Sequence, residues 1–186
     1  LSVTPKPVVL TVTGASKTYG DKDPAFEYSV EGLVTVNGVK DELKNVSLER
    51  ETGEDAGEYA IMVTIDADAN PNYTVTKKDG LFTINPDATE IIVSVKGHSK
   101  SLEFNGQKQS VSGFDMTSNN DAFSLEFVSY TGDSLVAGTD AQTYAMGLSA
   151  KDFKNTSVNY SNVVFDVVDG SLSVTPKPVV LTVTGA

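Results

Sequence analysis

The first fifteen residues of the chain are repeated as its last fifteen. Both stretches read LSVTPKPVVLTVTGA, at Leu1–Ala15 and at Leu172–Ala186, which lie 171 residues apart. An identity of this length does not arise by chance within 186 residues. We therefore expect a longer protein that is built from nearly identical tandem units. Such an array gains reach or multivalency by repetition, which is typical of structural or binding proteins rather than of enzymes.

A second, weaker repeat divides the 171-residue unit into two modules. Three pairs of segments carry it: Gly53–Ile61 (GEDAGEYAI) and Gly138–Met146 (GTDAQTYAM), Asn72–Val75 (NYTV) and Asn159–Asn162 (NYSN), and Asp79–Pro86 (DGLFTINP) and Asp169–Pro176 (DGSLSVTP). The offsets within these pairs are similar, so we interpret the two halves as diverged copies of one module.

The repeats predict the domain boundaries. One module spans residues 6–87, and its diverged copy spans residues 88–176, with the boundary near Pro86–Thr89. Residues 1–5 then end a preceding repeat, and residues 177–186 begin the next one. Only a few residues, proline among them, separate a last strand from the next first strand, and proline stiffens such a linker. If the first and last strands of a module run in the same direction, the array is elongated.

Apolar residues alternate with polar ones in several short segments. The alternating sets are Val8/Leu10/Val12, Ile61/Val63/Ile65, Ile91/Val93/Val95, Phe123/Leu125/Phe127 and Val163/Phe165/Val167. A period of two predicts strands with one buried face, and Asn-Gly and Asp-Gly pairs between them predict turns. Val39–Leu43 and Ser149–Phe153 are each long enough for a single helical turn only. The fold class predicted is mainly β, with two tandem small β-sandwich modules, or alternatively β-grasp-like modules.

The first module carries the motifs of a known family. Val12–Leu33 (VTGASKTYGDKDPAFEYSVEGL), the later DAGEYAI and the closing Asn72–Pro86 (NYTVTKKDGLFTINP) resemble the MBG domain of YGX type, with Tyr19-Gly20 at the eponymous position. The second module departs from the family at this point, because Phe104-Asn105-Gly106 replaces Tyr-Gly. The resemblance implies tandem modules of bacterial cell-surface adhesins.

A tyrosine motif recurs in both modules. DAGEY at Asp55–Tyr59 and DAQTY at Asp140–Tyr144 resemble the D-x-G-x-Y of immunoglobulin-like domains, in which the tyrosine hydroxyl bonds to upstream backbone. The resemblance implies an immunoglobulin-like sandwich with a tyrosine corner in each module. Tyr28 and Tyr130 have no counterpart in the other module, so we interpret them as the better candidates for exposed aromatic contacts.

Composition argues against several classes of function. A net charge of −11, from 14 basic and 25 acidic residues, disfavours a nucleic acid or an anionic membrane as partner. No apolar run is long enough to cross a bilayer, so membrane insertion is not expected. Without cysteine there is neither a disulfide nor a thiolate nucleophile. The one histidine, His98, has no evident catalytic partner, and no nucleotide-binding motif occurs. We predict that the chain is not an enzyme, and no catalytic or cofactor-binding residue is assigned.

One loop carries a candidate metal site. Asp66, Asp68 and Asn70 offer side-chain oxygens at alternate positions, which is how a calcium-binding loop begins. An EF-hand would next require glycine and, later, glutamate, where this chain has Pro71 and Lys77. A calcium site of another type at Asp66, Asp68 and Asn70 is therefore the metal hypothesis, and no other cofactor is expected.

Three functions remain open from the sequence. The first is a stalk or spacer in an extracellular, wall-attached adhesin, whose partners are the neighbouring repeats of the same protein. The second is a module that binds a host glycan, mucin or protein weakly and acts by avidity. The third is an accessory segment of a secreted glycan-degrading enzyme.

Overall fold

The computed structural model describes residues 2–183 and 185 of the chain. Strands contain 50% of the residues and helical turns contain 3%, so the prediction of a mainly β fold is confirmed. Two compact units are present. The first comprises the described residues up to Asp87 together with Val158–Tyr160, and the second comprises Ala88–Ser157 and the described residues from Ser161 onward. Among the described helical segments, none has the length and apolar character of a transmembrane helix.

Strands in the first unit form two main sheets and a small hairpin. The strands are β1 (Lys6–Val12), β2 (Ala15–Thr18), β3 (Tyr28–Glu31), β4 (Thr35–Val36), β5 (Val39–Lys40), β6 (Val46–Arg50), β7 (Gly57–Ile65), β8 (Tyr73–Lys78) and β9 (Gly80–Asn85). One sheet has the order β3-β1-β8 and the other has the order β2-β9-β7-β6, while β4 pairs with β5.

The core of the first unit lies between its two main sheets. Leu10 and Val12 of β1 pack in one cluster with Ile61 of β7 and with Phe82 and Ile84 of β9, and each is at most 4% exposed. Burying a side chain of this size contributes about 1.5–3 kcal/mol. The alternation in the sequence is what places these residues on one face, and the predicted β-sandwich packing is confirmed.

The first and last segments of the first unit run in parallel. β1 pairs with β8 from Lys6 opposite Tyr73, and β2 pairs with β9 up to Thr18 opposite Asn85. Only Asp79 separates β8 from β9, which is too short for a chain reversal, so they form one bent strand. The chain therefore enters this unit at Lys6 and leaves at Asn85, at the opposite end. The sequence left the relative direction of these strands open, and the parallel ladders differ from the antiparallel sheets of an immunoglobulin sandwich.

Strands in the second unit repeat this plan with shorter pieces. They are β10 (Ile91–Gly97), β11 (Ser99–Glu103), β12 (Gln109–Ser112), β13 (Phe114–Ser118), β14 (Val128–Tyr130), β15 (Leu135–Gly138), β16 (Thr143–Ala145), β17 (Phe153–Asn155), β18 (Val163–Val168) and β19 (Ser171–Thr175). The sheet orders are β13-β10-β18, β11-β19-β16, β12-β15 and β14-β17.

The parallel ladder recurs in the second unit. β10 runs beside β18 from Ile91 opposite Val163, and β11 runs beside β19 up to Glu103 opposite Thr175. Ile91 is fully buried, as is Leu172 of β19. The chain again enters and leaves at opposite ends of the unit.

Two local predictions were wrong. Phe123–Phe127 is not a strand: the N–H of Phe123 donates to the carbonyl of Asn120, and Leu125–Phe127 is a 3-10 turn capped by the Ser124 hydroxyl. Val39–Leu43 is not helical, because Val39–Lys40 is β5. The helical turn expected in Ser149–Phe153 is present as a 3-10 turn at Ala150–Asp152.

The two predicted repeat ends are described only in part, because residues 1, 184 and 186 lie outside the described residues. Lys177–Val183 repeats the sequence of β1 but belongs to no strand. Val179, Leu181 and Val183 are 80–92% exposed, whereas the corresponding Val8 and Leu10 are buried.

Candidate functional site

The predicted calcium residues lie in one loop, where two of them are engaged with protein groups. Oδ1 of Asp66 accepts the N–H groups of Asp68 (3.0 Å) and Ala69 (3.3 Å). The Asn70 side chain is buried, accepts the N–H of Lys44 at 2.8 Å, and donates to the carbonyls of Lys44 and Asp66 at 2.9 and 2.7 Å. Asn70 thus holds two loops together through its amide group.

The Asp66 carboxylate is held in its ionised form. A hydrogen bond from the Asn45 side chain lowers the pKa of Asp66, and the Ala69 N–H lowers it further. The described part of the chain contains no group of three or more His, Asp or Glu side chains placed to hold a metal ion. A calcium ion at this loop would have to use carboxylate oxygens of Asp66 and the exposed Asp68.

Both units contain the predicted tyrosine corner. The Tyr59 hydroxyl donates to the carbonyl of Asp55 at 2.7 Å. The Tyr144 hydroxyl donates to the carbonyl of Asp140 at 3.2 Å and accepts the N–H of Asp140 at 3.1 Å. Both rings are half-buried. The prediction of one structural position with a hydroxyl-to-backbone bond is confirmed.

A glycine completes each tyrosine corner. A Cβ at Gly53 or at Gly138 would overlap the ring of Tyr59 or Tyr144, respectively. Both glycines lie six residues before their tyrosine. The shared motif is therefore G-x-D-A-x-x-Y, in which glycine makes room for the ring and aspartate offers its carbonyl. The glycine, the tyrosine ring and the aspartate carbonyl therefore have structural roles.

Sequence reasoning missed a four-residue charge network in the first unit. Lys17 Nζ lies 2.7 Å from Oδ1 of Asp23 and 2.5 Å from Oε2 of Glu54. Arg50 binds the same two acids, with Nε 2.6 Å from Oδ2 of Asp23 and Nη2 2.5 Å from Oε1 of Glu54. The side chains of Lys17 and Arg50 are 4% and 9% exposed. Each buried cation therefore shares both carboxylates, which satisfies charges that would otherwise be costly to bury.

The network fixes the charge state of its members. The Asp23 hydrogen bond, followed by that of Glu54, raises the pKa of Lys17. The Arg50 hydrogen bond lowers the pKa of Asp23, and the Lys17 hydrogen bond lowers the pKa of Glu54. All four groups are therefore ionised at neutral pH, and Lys17 is not a neutral nucleophile or base. Lys17 lies two residues after Ala15 and therefore on the same, inward face of β2. This spacing is the feature of the sequence that could have predicted the burial of Lys17.

The second unit has no counterpart of Lys17. Lys17 pairs with Ile84 in the parallel ladder, and Leu102 pairs with Val174 at the corresponding place. Leucine therefore occupies the position of the buried lysine, and the described residues of the second unit form no equivalent charge network.

Val158–Tyr160 completes the Asn85 end of the first unit. The Asn159 side chain accepts the N–H of Ala56 at 2.7 Å and donates to the Asp55 carboxylate at 2.9 Å. The Tyr160 ring packs edge-on against Tyr19, with centroids 5.4 Å apart. Asn159 and Tyr160 are each 7% exposed. Asp55 and Ala56 of the tyrosine corner, with Tyr19 of the Tyr-Gly motif, thus form a receiving surface for an Asn-Tyr pair.

A hollow of about 350 Å³ lies at the Lys6 end of the first unit. Asn72, Tyr73 and Asp41 are among its lining residues. The Tyr73 hydroxyl donates to Oδ2 of Asp41 at 2.7 Å, and this bond lowers the pKa of Asp41. The exposed Asn72 side chain makes no hydrogen bond within the described residues.

The two tyrosines predicted to be exposed differ from each other. Tyr28 is 39% exposed, as predicted. For Tyr130 the prediction was wrong, because its ring packs against Phe114 and Phe153 at centroid distances of 4.9 and 4.7 Å. Its hydroxyl is buried without a hydrogen-bond partner among the described atoms. Aromatic neighbours distant in sequence bury Tyr130, and its local pattern carries no sign of them.

His98 has partners that the sequence did not reveal. Its Nδ1 lies 2.8 Å from the Ser112 carbonyl, and its Nε2 lies 3.3 Å from Asp115. The Ser112 carbonyl and then Asp115 raise the pKa of His98. The His98 side chain is 44% exposed and lies between β10 and β11.

Comparison with known families supports the resemblance noted in the sequence. Residues 8–83 match the MBG domain (YGX type), a stretch that covers most of the first module and less than half of the chain. This repeat domain is a structural module and not a known catalytic family, and it is typical of surface-associated proteins. No curated protein and no solved structure matched the chain significantly.

Proposed function

We propose that the chain is a repeat segment of an extracellular bacterial surface protein and acts as a stalk or spacer in adhesion. The observation that carries the proposal is the parallel pairing of the first and last strands within each unit. A unit with this topology takes in the chain at one end and releases it at the other. A tandem array of such units gains length with each added copy.

The expected gain can be bounded from the strands. The segment from Tyr73 to Asn85 spans at most about 40 Å, at roughly 3.3 Å per residue. The segment from Val163 to Thr175 has the same length and the same bound. Each unit therefore adds at most about 40 Å to the length of an array, on the same rise per residue.

Small-angle X-ray scattering on chains of one, two and three repeats tests the spacer role. We expect the maximum dimension to grow linearly with repeat number. Growth with the cube root of chain length, as for a compact globule, would contradict the proposal. On the cell surface, deleting repeats should reduce adhesion while the ligand affinity of the isolated binding domain stays unchanged.

Weak glycan binding is the second candidate, and the hollow beside Tyr73 favours it. An aromatic ring flanked by the carboxylate of Asp41 and the amide of Asn72 offers both stacking and hydrogen bonds to a sugar. A glycan array probed with the chain, with Tyr73→Ala as the matched control, separates this function from a passive spacer. Binding that Tyr73→Ala abolishes would establish a binding module, whereas no binding supports the spacer.

A further inference from the structure

Two linker residues make the same contact at two places in the sequence. The N–H of Lys6 donates to the carbonyl of Asn72 at 2.8 Å, and the N–H of Asp87 donates to the carbonyl of Asn159, also at 2.8 Å. Lys6 pairs in parallel with Tyr73, and Asp87 forms a parallel bridge with Tyr160. Asn72-Tyr73 and Asn159-Tyr160 are therefore equivalent in backbone as well as in sequence.

The side chains of the two asparagines have different surroundings. Asn159 is 7% exposed and is bonded to Asp55 and Ala56. Asn72 is exposed, and its amide group has no hydrogen-bond partner among the described residues. The two asparagines thus have the same backbone contacts, but within the described residues only the Asn159 side chain is hydrogen-bonded.

A matching receiving surface is unoccupied in the second unit. Asp140 and Ala141 stand in the second tyrosine corner where Asp55 and Ala56 stand in the first. Within the described residues, neither the Asp140 carboxylate nor the Ala141 N–H makes a hydrogen bond, and both residues are exposed. Phe104 takes the place of Tyr19. The N–H of Tyr19 donates to the carbonyl of Asn85, the last residue of β9, and the N–H of Phe104 donates to the carbonyl of Thr175, the last residue of β19.

We propose that Asn72 docks on the Asp140–Ala141 corner of a second copy of this chain, the copy that precedes it in the array. The Asn72 amide would donate to the Asp140 carboxylate and accept the Ala141 N–H, reproducing the bonds of Asn159. The preceding copy is the occupant because Lys6 is sequence-identical to Lys177, which directly follows β19 of that copy. The linker that bonds to Asn72 is therefore the one that emerges beside Asp140.

Docking at this place would also affect the hollow at the Lys6 end of the first unit. The Tyr73 ring packs against the core of the first unit, and its hydroxyl donates to the Asp41 carboxylate. The Phe104 side of the preceding copy would cover the hollow, so that each repeat junction is a fixed contact and not a flexible linker. This inference rests on the tandem-array hypothesis only for the existence of the preceding copy.

Disulfide trapping tests the contact, because the chain has no cysteine of its own. The probe is a chain of two consecutive repeats with Ala141→Cys in the first copy and Asn72→Cys in the second. The positive control is Ala56→Cys with Asn159→Cys within one copy. The negative control replaces Asn72→Cys by Glu58→Cys, since Glu58 pairs with Thr83 near the far end of the unit. We expect the test pair to oxidise within about twofold of the positive control and at least tenfold faster than the negative control, the separation that an effective concentration set by docking gives.

Hydrogen exchange supplies a readout without cysteine. In the two-repeat chain, the Ala141 amide of the first copy should exchange at least tenfold more slowly than in the 186-residue chain, since a bonded amide is protected. Asn72→Asp in the second copy should abolish this protection, because its carboxylate cannot donate to the Asp140 carboxylate and is repelled by it, so that the contact is lost. Oxidation of the test pair no faster than that of the negative control, or equal exchange in both chains, would overturn the proposal. Neither readout depends on adhesion, so the stalk function can fail while the docking contact stands.

Discussion

Removing one hydroxyl at the tyrosine corner is the most direct test of the fold. In Tyr59→Phe the ring keeps its place beside Gly53, and only the 2.7 Å hydrogen bond to the Asp55 carbonyl is lost. A hydrogen bond of this kind contributes about 0.5–1.5 kcal/mol. Tyr144→Phe also leaves the N–H of Asp140 without its partner, so we expect its loss to lie near the upper end of that range.

Urea unfolding followed by far-ultraviolet circular dichroism measures the effect on the free energy of unfolding. The control is Tyr28→Phe, because Tyr28 is 39% exposed and its hydroxyl makes no hydrogen bond within the described residues. Surface changes of this type stay within about 0.5 kcal/mol. In thermal melts, each kcal/mol lost should lower the Tm by roughly 4–8 °C for a unit of this size, if it unfolds on its own.

The result that refutes the reasoning is equality of Tyr59→Phe and Tyr28→Phe. The corner would then be a geometric coincidence with no energetic weight. Gly53→Ala provides a second arm, because its methyl group overlaps the Tyr59 ring and displaces it. Overpacking of this kind costs about 1–3 kcal/mol, so a neutral Gly53→Ala would show that the ring is not held in place.

Three further predictions follow from buried and charged groups. Tyr130→Phe should leave stability unchanged or raise it by up to about 1 kcal/mol in urea unfolding, because its buried hydroxyl has no partner among the described atoms; a clear loss would show a missed hydrogen bond. Millimolar calcium should not raise the Tm, because the Asn70 oxygen and one Asp66 oxygen already accept backbone N–H groups, and a rise lost in Asp66→Asn would establish the site. The lowered pKa values of Asp23 and Glu54 mean that their ion pairs stabilise the fold above the ordinary carboxyl pKa and are lost as the pH falls through the lowered values. The urea midpoint should therefore drop further between about pH 5 and pH 2 in the native chain than in Glu54→Gln, and equal drops would contradict this.

The sequence predicted what depends on local spacing. A period of two in Val8–Val12 and in Ile91–Val95 indicates a strand with one buried face, and both segments are strands with that burial. The recurring D-A-x-x-Y motif predicted both tyrosine hydroxyl bonds, because the acceptor carbonyl lies only four residues away. In such cases the interacting groups lie within one short segment.

Partners distant in sequence were not predicted. The Phe123–Phe127 segment has strand-like alternation, yet local hydrogen bonds to Asn120 and Ser124 make it a turn. The Lys17 network joins residues 37 positions apart, as its bond to Glu54 shows. Periodicity reports which face is buried but does not say which segment covers it.

One heptapeptide shows this limit within a single chain. KPVVLTV is a strand at Lys6–Val12, between β3 and β8, and belongs to no strand at Lys177–Val183. Its β propensity is identical in both places, so pairing and burial decide the conformation. We therefore expect strand-type NMR chemical shifts at Val8–Val12 and coil shifts at Val179–Val183 in the 186-residue chain. Extending the chain by residues 16–87 of the repeat supplies the partners and should convert the second segment into a strand. Strand shifts at Val179–Val183 before the extension, at a concentration where the chain is monomeric, would show that local sequence suffices.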